Sequence, residues 1–231
     1  MATSATAKGM RAVIFDVDGV LVDSYAAHFE SWRVILEENG LELTEEQFAQ
    51  TFGRTSREII ARFWGDGVGD TRSREIDDRK EALYRDIVRA KFPVMDGAVE
   101  LIDALRAAGF ALGVGSSAPP ANVELSLDCV GRREAFTAIV TGRDVQRGKP
   151  DPQVFLLAAA RLGVEPLRCA VIEDAPAGIR AAEAAGAASI ALLGTASADE
   201  LRAAGARITV GSLRELSPRL VEDLIARAAG G

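Results

Sequence analysis

Six reactive side chains lie where short apolar runs end or a helical pattern begins. Asp16 and Asp18 follow the run 12–15, Ser116 follows 112–115, and Glu173 and Asp174 follow 169–172. Lys149 lies in Gly148-Lys-Pro-Asp-Pro152, immediately before a helical pattern. Mg²⁺ prefers hard oxygen ligands, keeps several waters and takes few protein oxygens. The carboxylates of Asp16 and Asp174 and the backbone carbonyl of Asp18 are a set of that kind. An aspartate carboxylate attacks phosphorus once its repulsion with the phosphate is neutralised. Mg²⁺, the Lys149 ammonium and the Ser116 hydroxyl are the groups able to neutralise it. Two residues beyond Asp16, Asp18 is spaced to protonate a leaving oxygen and later to deprotonate water. Singly, each of these is an ordinary turn or helix-start residue. Jointly, at successive strand ends, they form a pattern. The single histidine, His28, excludes HExxH zinc sites and leaves at most one Ser-His triad.

The elements that must position these groups follow from periodicity. Continuous apolar runs at 12–15, 111–115, 138–141, 169–172 and 189–193 read as strands buried on both faces. Helical patterns at 98–108, 122–130, 152–162, 177–185 and 199–204 separate the later runs. This alternation predicts an α/β fold: a Rossmann-like parallel-sheet core whose strand carboxyl ends converge on one edge. From about 24 to 92 no strand-like run occurs. Phe29, Trp32, Ile35 and Leu36 share one helix face, Ile59, Ile60, Phe63 and Trp64 another, and Thr44-Glu-Glu-Gln47 reads as a capping box. The organisation expected is therefore a core of 11–23 and 93–231, an inserted α-helical cap domain over 24–92, and a disordered tail over 1–10.

Composition narrows the partners. With 231 residues, 48% of them hydrophobic, the chain is long enough for one or two packed domains, since single cores rarely exceed roughly 250 residues. Lys and Arg number 27 against 34 Asp and Glu, a net charge of −7 that argues against a nucleic-acid surface or an anionic membrane surface. No apolar run approaches the roughly 20 residues of a membrane helix, and no signal-peptide pattern opens the sequence. Cys129 and Cys169 lack CxxC spacing and have apolar neighbours, so both thiols are expected to be buried and reduced, in a cytoplasmic protein. The partner expected is a small phosphorylated metabolite. Oligomeric state is not encoded in these patterns, and a monomer is the default.

FDVDGVLVDS (15–24), Ser116, GKPDP (148–152) and IEDAPAGIRAAEAAG (172–186) together resemble the four motifs of the haloacid dehalogenase superfamily. Within it, the chain resembles the β-phosphoglucomutase-like and CbbY-like branch. The resemblance implies Mg²⁺-dependent phosphoryl transfer through an aspartyl-phosphate. Asp16 would be the nucleophile and Asp18 the acid/base, and Ser116 and Lys149 would bind the phosphoryl group. Asp16, Asp18 and Asp174 would hold the metal, with Glu173 in support. His28 resembles a histidine on the first cap helix, and Arg57, in GRTSREI, a cap arginine that grips a distal phosphate. The mutases carry Lys-Asn after the serine, where this chain has Pro119-Pro120, with Asn122 the nearest substitute. The reading expected is a phosphatase of small phosphorylated metabolites such as sugar phosphates, with a sugar phosphomutase as the alternative. Outside enzymes, a receiver-like or catalytically idle phosphate-binding protein would use similar residues. Receivers, however, are shorter, lack an insertion and place their phosphorylated aspartate later.

Overall fold

A computed structural model describes residues 9–51, 55–65 and 67–230. The tail expected over 1–10 lies, as far as residue 8, outside the described residues. The chain divides into two compact units: Ser24–Pro93, and the remainder up to Asp23 and from Val94 onward.

The larger unit begins with strand β1 (Ala12–Phe15). After the smaller unit it continues through α5 (Ala98–Ala107), β2 (Ala111–Gly115), α6 (Pro120–Val130), β3 (Phe136–Val140), α7 (Gln153–Leu162) and β4 (Cys169–Glu173). It ends with α8 (Pro176–Ala184), β5 (Ala188–Leu192), α9 (Ala198–Ala203), β6 (Ile208–Val210) and α10 (Pro218–Ala229). All six strands are parallel, in the order β3-β2-β1-β4-β5-β6. The order reverses direction at β1, and open parallel sheets leave their ligand crevice at such a reversal, beyond the strands' carboxyl ends. Every residue of β1 and β4 is buried, which is why these strands read as unbroken apolar runs. On one face Phe155, Ala158 and Ala159 of α7 and Ala181 and Ala182 of α8 pack on Ala12, Ile14, Val140 and Val171. The alanines let the helices sit close to the sheet.

The register sets the site. Phe15 lies opposite Val114 on one side and Ile172 on the other, so the next residues, Asp16, Gly115 and Glu173, share one level. Adjacent strands are about 4.8 Å apart, so side chains leaving these ends meet without help from long loops.

The smaller unit holds α1 (Tyr25–Glu38), α2 (Glu45–Ala49), α3 (Ser56–Trp64) and α4 (Asp70–Ala90). Trp32, Ile35, Leu36, Phe48, Ile59, Ile60 and Ile76 form its own core. Thr44 and Thr55 each close a capping box with the residue three positions on, Gln47 and Glu58, and so fix where α2 and α3 begin.

Three features differ from the sequence expectation. Strand β6 and helix α10 were not anticipated. β6 is only three residues long at the sheet edge, and α10 follows a Ser217 cap with Pro218 at its first position. Cys129 is exposed rather than buried, because α6 turns Val123, Ser126, Leu127 and Val130 inward and leaves Cys129 off that face. Cys169 is buried, and burial pushes its thiol up to about 12.

The turn after β3 braces the sheet edge beside Ser116. Asp144 accepts from Arg161 at 2.6 Å, from the Thr141 hydroxyl at 2.7 Å and from the Thr141 N–H at 2.8 Å. Gly142 N–H in turn donates to Ala118 O at 3.0 Å, tying this turn to the segment that follows Ser116. The Arg161 bond first, then those from Thr141, hold the Asp144 carboxyl down to about 2. A depressed carboxyl stabilises the fold above its ordinary pKa near 3.8, and that contribution disappears as pH falls through about 2. Asp144→Ala is therefore expected to cost about 1–2 kcal/mol at neutral pH, lowering the melting temperature by several degrees. In melts at pH 7 and pH 2, the gap between wild type and variant should shrink at the lower pH.

Candidate active site

Asp16 leaves the end of β1 with its backbone N–H bonded to Ile172 O at 3.0 Å, so its position is fixed by the sheet ladder itself. It is 8% exposed. Lys149 approaches from the segment before α7, its Nζ 3.0 Å from Asp16 Oδ1 and 2.7 Å from Glu173 Oε1. The contact with Asp16 is an ion pair without hydrogen-bond alignment, so Asp16 Oδ1 is buried with no hydrogen-bond partner. The ammonium also lies 5.0 Å from the centre of the Phe155 ring. Burial pulls the Lys149 pKa down, but Asp16 and Glu173 outweigh it and hold the ammonium well above the ordinary lysine range.

Glu173 is fully engaged. Its Oε1 accepts from Lys149, and its Oε2 accepts from the backbone N–H groups of Asp174 at 2.8 Å and Ala175 at 2.7 Å. It orients the lysine and shapes the turn. Asp174, also buried, hydrogen-bonds through Oδ2 to the Thr195 hydroxyl. Ligand oxygens of Asp16, Glu173 and Asp174 lie within 4.8 Å of one another. The Asp18 side chain is half-buried and outside that cluster, yet close enough for its charge to act on Asp16. Burial raises Asp16 to about 7; Lys149 opposes this, while Glu173 and Asp18 add to it. Asp174 is raised by burial first, then by Glu173 and Asp16. Three buried carboxylates thus face one buried ammonium. A hard-oxygen cluster with surplus negative charge and an unbonded oxygen on Asp16 suits a divalent cation such as Mg²⁺.

Ser116, 1% exposed, stands just past the end of β2 beside β1. Its N–H bonds Val140 O at 3.0 Å and its Oγ accepts from Ala118 N–H at 3.0 Å, which leaves the hydroxyl proton to donate. Asn122 is buried in the first turn of α6. Two expected residues belong to the smaller unit. Arg57 is exposed in the first turn of α3. His28 stacks on Tyr84 with ring centres 4.1 Å apart, and its Nδ1 is 2.9 Å from Lys80 Nζ. Lys80 is buried, paired with Glu81 at 2.7 Å and set against the faces of Trp32 and Tyr84.

Sequence reasoning missed Lys80, Glu81, Tyr84 and Thr195. Lys80 and Glu81 lie in the densely charged helix α4, and only the four-residue step from Lys80 to Tyr84 shows a shared face. Thr195 lies three residues after β5, so the rule that singled out the other strand ends applies to it as well.

The model of the haloacid dehalogenase-like hydrolases matches residues 10–186. The chain belongs to that family and is a phosphoric monoester hydrolase of that type. It is 32% identical over 194 residues to validoxylamine A 7'-phosphate phosphatase of Streptomyces hygroscopicus subsp. limoneus, covering 83% of this chain and 89% of that one. It is 33% identical over 184 residues to β-phosphoglucomutase of Bacillus subtilis, covering 77% and 80%. Among solved structures, a haloacid dehalogenase hydrolase of family IA, variant 3, from Entamoeba histolytica superposes with a TM-score of 0.87 at 28% identity. That match covers 94% of this chain and all of the other.

Two glycines lie where a Cβ would collide with the acid cluster. A Cβ on Gly178, in α8, would lie 1.8 Å from Glu173 Oε1, and one on Gly19 would lie 2.0 Å from Asp174 Oδ2. Replacing a helical glycine by alanine ordinarily stabilises, by up to about 1 kcal/mol. Gly178→Ala is expected to reverse that sign and destabilise by roughly 1–3 kcal/mol, since Glu173 must move off Lys149 and the 174–175 turn. A denaturant melt reads the sign directly.

Proposed function

We propose that this chain hydrolyses monophosphate esters of small sugars or sugar-like metabolites, using Mg²⁺ and a phosphoaspartate formed on Asp16. The observation that carries the reading is Asp16 itself. It is a buried carboxylate at the sheet's reversal point, with Lys149 against one oxygen and a second acid, Asp174, in the same cluster. The activities of the relatives, on validoxylamine A 7'-phosphate and as a phosphoglucomutase, support a phosphorylated carbohydrate as substrate class.

Asp16, Asp174 and the Asp18 carbonyl would hold Mg²⁺, which when bound offsets the charge of the phosphate and of the acids around it. Lys149 and the Ser116 hydroxyl grip the phosphoryl oxygens. An oxygen of Asp16 attacks phosphorus, the ester P–O bond breaks, and Asp18 gives its proton to the departing alcohol oxygen. Asp18 then takes a proton from water, the water oxygen attacks phosphorus, and the Asp16–phosphorus bond breaks to release phosphate. Glu173 keeps the lysine in place throughout. In this reading Ser24–Pro93 is the cap, joined by two linkers suited to hinge closure. Arg57 and the first-turn residue Asn122 are its substrate contacts on the cap and the core respectively, and His28 anchors the cap's polar cluster.

Mutase action is the second reading, favoured by the identity to β-phosphoglucomutase. A mutase must hold a bisphosphate in two orientations, and so needs cations at both ends of it. After Ser116 this chain offers Ala118, then Pro119 and Pro120, which open α6 without a charge or a backbone N–H donor. Losing a charge-assisted contact costs about 1.5–3 kcal/mol, and hydrolysis has no need of that contact.

Purified protein with Mg²⁺ is expected to release inorganic phosphate from hexose or pentose phosphates, and chelation or Asp16→Asn to abolish release. Asp18→Asn is expected to lower kcat by about 10²–10⁴-fold while phosphate still binds. Substantial turnover by Asp16→Asn would remove the phosphoaspartate. Rapid conversion of β-glucose 1-phosphate to glucose 6-phosphate with negligible phosphate release would replace the phosphatase by the mutase.

A further inference from the structure

Asp174 does not hold its own position. It follows β4 on a turn whose N–H groups bond Glu173, and its carboxylate reaches across to the loop after β5, 21 residues further on, where the Thr195 hydroxyl donates to Oδ2. The same oxygen rests over Gly19, where a Cβ would lie 2.0 Å from it. A carboxylate oxygen of Asp174 lies within 4.8 Å of ligand oxygens of Asp16 and Glu173, and the Thr195 bond fixes how that carboxylate is turned toward them.

The loop that carries Thr195 is fixed at both ends. Leu193 N–H bonds Val210 O at 2.8 Å, tying the start of the loop to β6. At its end Ser197 closes a capping box with Glu200: Ser197 N–H donates to Glu200 Oε2 at 2.9 Å, and Glu200 N–H to Ser197 Oγ at 3.3 Å. Thr195, half-buried, lies between these two anchors. The hydroxyl is thus presented to Asp174 from a short loop held at both ends.

We propose that Thr195 is a positioning residue of the metal site: its hydroxyl sets which Asp174 oxygen faces the cation and thereby the cation affinity. The inference rests on the reading of Asp16 and Asp174 as metal ligands. Hydrogen-bond partners of ligating groups fix ligand orientation, and removing one typically weakens metal binding by about 10–100-fold.

The experiment measures binding of Mg²⁺ by calorimetry and of Mn²⁺ by electron paramagnetic resonance, with no substrate present. Wild type, Thr195→Val, Thr195→Ser and Asp174→Asn are compared, each first checked by circular dichroism and melting in metal-free buffer. Valine keeps the shape and loses the hydroxyl; serine keeps the hydroxyl and loses the methyl. Thr195→Val is expected to bind both ions about 10–100-fold more weakly, and Thr195→Ser to stay near wild type. In turnover the Mg²⁺ concentration for half-maximal rate should rise for Thr195→Val, while kcat at saturating Mg²⁺ stays near wild type. If the valine variant melts early, Thr195→Ala carries the same comparison. Wild type that binds neither ion would remove the metal reading and this role with it. Wild type that binds, with Thr195→Val equally tight, would overturn the role of Thr195 alone. Equal weakening by valine and serine would also overturn it, by showing that loop packing matters and the hydroxyl does not.

Discussion

Burying carboxylates together is the constraint from which the rest of this molecule follows. Asp16, Glu173 and Asp174 lie at the carboxyl ends of β1 and β4, deep enough that burial is the largest influence on both Asp16 and Asp174. An isolated buried charge costs several kcal/mol, so such a cluster persists only with opposite charge and hydrogen bonds supplied by the fold. Lys149 supplies the charge. The backbone N–H groups of Asp174 and Ala175 supply two of the hydrogen bonds and Thr195 a third.

That requirement explains features that look unrelated in the sequence. Gly178 is a poor helix residue, yet α8 carries it where Glu173 presses against the helix backbone. Gly19, with φ of 73°, turns the chain in the left-handed region and leaves room for Asp174. The parallel register brings Asp16 level with Glu173, so a shift by one residue would send Asp16 to the opposite face and break the cluster. The four-residue β1 is all the sheet needs there, because its task is to deliver one carboxylate to one level.

Legibility in the sequence divides along the same line. Asp16, Ser116, Lys149, Glu173 and Asp174 were visible because each follows a fully buried apolar run or opens a helical pattern, and strand ends in a parallel sheet share an edge. The strands themselves were visible for the same reason. β6 was not, because its three residues sit at the sheet edge with two of them only partly buried, and so leave no apolar run. Thr195 escaped notice because its partner is 21 positions away and a threonine in a Gly-Thr-Ala-Ser stretch looks like any loop residue. Lys80 escaped because helix α4 is densely charged, and periodicity cannot tell which of its charges turns inward. Cys129 failed the opposite way: its apolar neighbours in sequence lie on a face it does not share.

Lys80 and Lys149, whose side chains are both largely enclosed, have different surroundings. Lys80 pairs with Glu81, lies 2.9 Å from His28 Nδ1 and has the faces of Trp32 and Tyr84 around it, while Asp77, raised first by burial, feels the charges of both Glu81 and Lys80. Lys149 is outnumbered by the carboxylates of Asp16, Glu173 and Asp174 at one sheet edge. A fold that only needed a stable core would not keep that imbalance, because a hydrophobic replacement of similar volume is usually no less stable. Three carboxylates against one ammonium leave a formal surplus of two negative charges, which in the proposed reading a divalent cation offsets.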